Sequence, residues 1–271
     1  MSKDLKELEE KLNDAEALFQ DGQHDDAVKV LQSLAGQGFA EAQYILGVCY
    51  CNSVGLSKDD VKAAQWFLKA AEQGNAEAQY ELGVFSHLGV VEEKNYNKAF
   101  EWYSKAAQQG HSGALHNLGF CYQHGLGTAQ DHVKAVELFR KSAELGNTSG
   151  QLDLGNCYHK GQGIEQDYAK AIEWYKKAAE QGDVWAQYSL GITYFDGKGV
   201  EQDYAEAVKW YSLAAAKGHD KAQYYLGSCV LNGQGTERNI DVAVGLFQMA
   251  AKQGNTDAQD ILKELKNMGI K

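Results

Sequence analysis

The feature that most constrains this chain is a period of 36 residues. A Leu-Gly pair sets its glycine at Gly47, Gly83, Gly119, Gly155, Gly191 and Gly227, and a second series runs Gly38, Gly74, Gly110, Gly146, Gly182, Gly218 and Gly254. A third carries Ala63, Ala99, Ala135, Ala171, Ala207 and Ala243, followed three residues on by Trp66, Trp102, Leu138, Trp174, Trp210 and Leu246. None of the series slips. Such self-similarity marks a stacked-repeat architecture, in which one unit cannot bury its own apolar face and gains stability from its neighbours.

Each period holds two helix patterns. In the stretch Asp183 to Phe195, Ala186, Leu190 and Tyr194 fall at i, i+4 and i+8 on one face, and Gly191 leaves a bare spot where a neighbouring helix can approach. Gly197 and Gly199 then break the helix, and a second starts at Asp203, with Tyr204, Ala207, Val208, Tyr211 and Ala215 at helical spacing until Gly218. Asp59, Asn95, Asp131, Asp167, Asp203 and Asn239 share one repeat position and predict N-caps for the second helices. Asn75, Asn147, Asp183 and Asn255 predict the same for first helices. Proline is absent, consistent with uninterrupted helices.

The predicted organisation is one continuous solenoid domain. Residues 1–38 form a capping helix pair with a polar first helix, 39–254 form six repeats, and 255–271 form a closing amphipathic helix.

The net charge of −11 argues against a nucleic-acid partner and for an unidentified protein or peptide, basic or of mixed charge. No basic patch suits an anionic membrane, and the apolar runs are too short to span one. The first ten residues lack the apolar core of a signal peptide, so the chain as written reads as cytoplasmic; a native precursor carrying a leader is compatible with it. A monomer is expected. Of five cysteines, Cys49, Cys121, Cys157 and Cys229 share a repeat position and Cys51 does not. Equivalent residues of stacked pairs lie roughly 10 Å apart, beyond the about 7 Å that a disulfide tolerates. Reduced, buried thiols are expected.

The unit from Asp167 to Asp183, Asp-Tyr-Ala-Lys-Ala-Ile-Glu-Trp-Tyr-Lys-Lys-Ala-Ala-Glu-Gln-Gly-Asp, continued by Ala186-Gln187-Tyr188 and Leu190-Gly191, resembles the Sel-one-like repeat (SLR). That family is related to the tetratricopeptide repeat and has a longer Gly-x-Gly loop, here Gly125 and Gly127, Gly161 and Gly163, Gly197 and Gly199, Gly233 and Gly235. Ser53 and Val91 replace a loop glycine in the first two full repeats, where altered loops are expected. The resemblance implies an all-α, right-handed α/α superhelical solenoid, with first helices on the concave side and second helices on the convex side. It further implies a non-enzymatic adaptor or scaffold. An immunity or inhibitor protein that neutralises a toxin or effector enzyme is the alternative. A hydrolase of the cysteine-rich, β-lactam-binding type is disfavoured, because the second helices here carry no cysteine partners.

If packing claims Ala42, Leu46 and Tyr50 and their equivalents, the opposite stripe of each first helix is free to vary. Its candidate protein-binding residues are Glu41, Ile45, Glu77, Glu81, Asn117, Phe120, His124, Asp153, Asn156, Lys160, Trp185, Ile192, Lys221 and Tyr225. Here the sequence stops repeating. Trp185, Phe120 and Tyr225 have the character of anchors, and Glu41, Glu77 and Glu81 could steer a basic segment. The alternative for Trp185 is that it folds down over the neighbouring helix and completes the core. Cys121, His124, Cys157 and His159 are a weak case for a metal, since the cysteines recur as packing residues and the histidines do not share a position. No nucleophile elbow or phosphate loop is present, so neither a catalytic residue nor a cofactor is expected.

Overall fold

A computed structural model of the protein describes residues 3–269. Fifteen helices are formed, with no strand among the described residues. They are α1 (Lys3–Gln20), α2 (His24–Gly36), α3 (Ala40–Asn52), α4 (Asp60–Glu72), α5 (Ala76–Leu88), α6 (Tyr96–Gln108), α7 (Ser112–His124) and α8 (His132–Glu144). There follow α9 (Thr148–Lys160), α10 (Tyr168–Glu180), α11 (Val184–Asp196), α12 (Tyr204–Ala216), α13 (Asp220–Asn232), α14 (Ile240–Lys252) and α15 (Thr256–Asn267). Odd-numbered helices from α3 are the first of each pair and even-numbered ones the second. The chain comprises two compact units, residues 1–138 and 139–271, whose boundary falls within α8.

The same grammar builds both units. Within a pair, the aromatic one turn past the Ala position of the second helix lies on the first helix's glycine: Phe67 on Gly47 and Tyr103 on Gly83 in the first unit, Tyr175 on Gly155, Tyr211 on Gly191 and Phe247 on Gly227 in the second. A β-carbon at any of these glycines would sit 2.4–2.8 Å from the ring, so helix pairing at this distance requires glycine. The alanine series is fully buried or nearly so. In the first unit, the end cluster of Leu12, Ala15, Val28, Leu31, Leu34 and Leu46 is followed by clusters around Phe67 and Tyr103. In the second, Phe247, Val244, Ala258 and Leu265 form the terminal cluster, with Ile261 and Leu262 packed against it.

Second helices start as their caps predict. Asp59, Asn95, Asp131, Asp167, Asp203 and Asn239 each accept the backbone N–H three residues on, at 3.0 Å. First helices end in a left-handed residue, Gly89, Gly125, Gly161, Gly197 or Gly233. At Ser53 the replacement leaves this geometry intact, with φ 58 and ψ 38, so the altered loop expected there does not form. Val91 does not adopt the positive φ that glycine holds at that point in the other loops, and there the backbone differs.

A polar series also runs through the core. Gln43, Gln79, Gln151, Gln187 and Gln223 are buried, and each Nε2 donates to the carbonyl eight residues back, at 3.1–3.3 Å. Four of their Oε1 atoms accept from Gln73, Gln109, Gln181 and Gln253 at 2.7–2.9 Å. This satisfies both ends of a buried amide, which would otherwise be costly.

Candidate functional site

The stripe opposite the packing face of the first helices has a consistent exposure profile. Its outer positions face solvent: Glu77, His124, Lys160, Trp185 and Lys221 are exposed. Its inner positions, Ile45, Glu81, Asn117, Phe120, Asp153, Asn156, Ile192 and Tyr225, are half-buried, and so is Glu41 at the first of the outer positions. The stripe is therefore a surface with a packed floor, not a row of free side chains.

In the first unit, two of its acidic members are already engaged. Glu41 accepts from Nδ2 of the Asn75 cap at 2.9 Å, and Glu77 meets Nε2 of His111 at 2.8 Å. His111 is itself the N-cap of α7, its Nδ1 accepting from the Ala114 N–H at 3.0 Å. Burial, and then the neighbouring Glu77, pushes the Glu81 carboxyl above the usual carboxylate range. The Tyr44 phenol is raised to about 12, first by burial and then by Glu77, Glu81 and Glu41. The three carboxylates thus act on the same phenol. Further along, Phe120 lies against His124 at 4.3 Å and His87 at 6.2 Å between ring centroids. Asn117 bonds Nδ1 of His116 through its Oδ1 at 3.1 Å.

In the second unit, two members of the stripe, Trp185 and Tyr225, belong to a string of aromatic contacts. Trp185 is 55% exposed, and its ring stands edge-on to His219 at 4.4 Å. His219 stacks on Tyr188 at 4.6 Å, Tyr188 lies 6.0 Å from Tyr225, and Tyr225 stacks on Tyr211 at 5.5 Å and 15°. The Trp185 ring leans on the next helix's cap, yet more than half of the residue meets solvent. His219 repeats the role of His111, with Nδ1 accepting from the Ala222 N–H at 3.2 Å. Earlier in this unit, Asn156 accepts from the Tyr175 hydroxyl at 2.9 Å and donates to Asp153 at 3.2 Å. One repeat on, the position of Asn156 is Ile192, and the Tyr211 hydroxyl is buried without a partner. Burial drives the phenols of Tyr175 and Tyr211 strongly upward.

The cysteines are free thiols, four buried and Cys51 half-buried. Burial pushes Cys49, Cys51, Cys121 and Cys229 up to about 11 and Cys157 to about 12, so none is poised as a nucleophile. Among the described residues, no group of three or more His, Cys, Asp or Glu is placed to hold a metal ion, and no helix is long and apolar enough to cross a membrane. Nothing in this arrangement shows catalytic function.

Paired helices repeated at 36 residues around an aromatic-on-glycine contact define a helix-repeat solenoid protein. The Sel1 repeat model matches residues 40–75, 76–111, 112–147, 148–183, 186–219 and 220–255, and the chain belongs to the Sel1 repeat family. It is similar to c5321, a protective antigen of uropathogenic Escherichia coli with an SLR fold, at 38% identity and a TM-score of 0.82; 89% of this chain and 52% of that one are covered. The chain thus spans about half the length of that relative. A Sel1 repeat protein from Oxalobacter formigenes is 32% identical with a TM-score of 0.81, covering 89% of this chain and 96% of that one. The immunity protein Pa5087 of Pseudomonas aeruginosa shares the fold at 19% identity and a TM-score of 0.51, over 79% of this chain and 81% of that one. No curated protein matches the chain.

Proposed function

We propose that this protein is a non-enzymatic scaffold that binds a peptide or protein surface on the first-helix face. Sel1 repeat proteins generally mediate protein–protein interaction, which supports the class of function. The observation that carries the reading is Trp185: a large exposed aromatic, on the stripe where the repeat breaks down, held by a string of stacked rings. Binding hot spots favour such pre-positioned aromatics, because little conformational entropy is lost when a partner covers them. The carboxylates around Tyr44 give the first unit an affinity for cationic side chains, and Glu81 is the member of that group without a bridge to a cap.

Trp185→Ala is the test. The expected result is loss of the captured partner, about tenfold or more in affinity, with little change in the thermal midpoint. Retained binding with lost stability would assign Trp185 to the fold and end its proposed role. The toxin-neutralising alternative is not favoured by a specific observation, since the likeness to the immunity protein is one of fold alone.

A further inference from the structure

A second surface of the first unit departs from the repeat in a coordinated way, on the opposite set of helices. Between α4 and α6, beside the α5–α6 loop, lies a groove of about 540 Å³, lined by Val61, Ala64, Leu68, Phe85, Val91 and Trp102. Two positions explain why it is open. The position of Ala64 on the second helix, and a position in the loop that follows, elsewhere carry bulkier pairs: Val28 and Leu56, Phe100 and Thr128, Val136 and Ile164, Ile172 and Val200, Val208 and Thr236. In the first of these, Leu56 packs against the cluster that contains Val28. Here the pair is Ala64 and Glu92, and Glu92 is drawn into an exposed ion pair with Lys98 at 2.7 Å.

The margin changes in the same sense at Leu68 and Val91, beside Val61. Val61 and Leu68 are 52% and 42% exposed, and Val91 is 40% exposed. The position of Leu68 is otherwise Ser104, Arg140, Lys176, Ser212 or Gln248, and that of Val91 is otherwise glycine. Selection for packing alone would fill such a space and keep its rim polar. Residues far apart in sequence instead hollow one site and make its rim apolar, which is the signature of an interaction surface.

Charge identifies the kind of occupant. Lys98 is held by Glu92, and Lys105 lies 3.9 Å over the Trp102 ring. Glu93 and Glu101 also border the groove, with no ion-pair partner among the described residues. With Glu92 paired to Lys98, Glu93 and Glu101 outnumber Lys105, so the rim is negative on balance, and a net charge of −11 disfavours a second copy as the occupant. Val61 and Leu68 stand seven residues apart on α4, two turns and about 10 Å, which matches anchors at i, i+4 and i+7 of another helix. We propose that this groove docks a short amphipathic helix of a partner protein, with aliphatic anchors on one face and Lys or Arg at its margins.

The probe is a labelled synthetic helix with leucines at i, i+4 and i+7 and lysines on its margins, beside a copy in which glutamates replace the lysines. Both are titrated against the full chain by fluorescence anisotropy. The lysine form is expected to bind at least about tenfold more tightly. Ala64→Phe, which installs the side chain found at Phe100, should weaken it about tenfold or more, while the thermal midpoint holds or rises. Ala64→Val and the exposed pair Glu93→Lys with Glu101→Lys provide the same reading if the larger side chain disturbs folding. Trp185→Ala should leave this binding unchanged, which separates the groove from the first-helix face. Equal affinity in wild type and Ala64→Val, no preference for lysine, or loss of binding in Trp185→Ala would each overturn the proposal. So would light scattering that shows a dimer abolished by Ala64→Phe, which would assign the groove to a second copy.

Discussion

A β-carbon at Gly191 would meet the Tyr211 ring at 2.4 Å, whereas one at Gly245, inside α14, would meet nothing within 4 Å. The same exchange should therefore act in opposite directions. Gly191→Ala forces apart the pair α11 and α12, at about 1–3 kcal/mol for an overpacked contact. Gly245→Ala only removes backbone freedom from the unfolded chain, and should stabilise by about 0.5–1 kcal/mol. Urea midpoints of the two variants check this; a stable Gly191→Ala would mean that the ring can swing away. A second pair of expectations concerns the glutamine series. At the position of Gln73 and Gln109, the residue is Lys217, whose Nζ donates to the Gly182 carbonyl at 2.6 Å, and Oε1 of Gln187 is buried without a partner. Lys217→Gln should supply the missing donor and raise stability by about 0.5–1 kcal/mol, the usual net worth of a hydrogen bond. The chain carries its own control, since Leu115 stands at the acceptor position in the repeat where Leu145 replaces the donor. An unchanged midpoint for Lys217→Gln would show that solvent already serves Gln187.

At the level of single helices, the caps divide into those the sequence displays and those it conceals. Asp and Asn at fixed positions were readable because a short side-chain oxygen is the common partner for the first free N–H groups. His111 and His219 occupy the same place in α7 and α13, yet imidazole is an unusual cap, and only the structure shows Nδ1 accepting at 3.0 and 3.2 Å. The register held the clue, since both stand where Asn75, Asn147, Asp183 and Asn255 stand. A histidine cap must be neutral to accept, and a cation at a helix N-terminus is unfavourable. Burial pushes the His219 imidazole below its ordinary value, with nearby Lys221 acting the same way and Asp220 opposing. The unfolded chain then binds the proton more readily than the folded one. The stability that His219 contributes is present above the unfolded value, near 6.5, and is lost as pH falls from there through the lower folded value. His87 and His159, also lowered chiefly by burial, act in the same direction. Unfolding midpoints measured from pH 7.5 to 5 should therefore decline, and His219→Asn should flatten the decline while leaving the neutral-pH midpoint nearly unchanged. An identical slope in wild type and variant would remove His219 from the account.

For the molecule as a whole, whatever the period dictates could be read from the chain, and whatever depends on space between elements could not. The pairing of helices, the glycine contacts and the caps follow from residues that recur. The stripe was legible as the place where recurrence fails, but not the fact that Glu41 and Glu77 are tied to the next cap, because those bonds join residues 34 apart. The α4–α6 groove was hidden for a related reason, since it is made by small or outward-turned side chains at positions that look unremarkable one at a time. At the last described helix, α15, a single amphipathic face meets the preceding pair. Ile261, Leu262 and Leu265 cover the face of Val244, Phe247 and Ala250, while Asp257, Gln259, Asp260, Lys263, Glu264 and Lys266 are exposed. Without this helix, the α13–α14 pair would present to water the kind of face that each repeat elsewhere buries. A chain ending at residue 255 should lose roughly 3–6 kcal/mol, on a scale of about 1.5–3 kcal/mol per buried aliphatic side chain. It should also self-associate, because the uncovered face matches no closed interface. Leu265→Ala alone should cost about 2–4 kcal/mol, and Met268→Ala, at an exposed side chain, should cost almost nothing. Light scattering and thermal unfolding of the three variants test this ordering. A shortened chain that stays monodisperse with the wild-type midpoint would show that α15 contributes little to covering the α13–α14 pair.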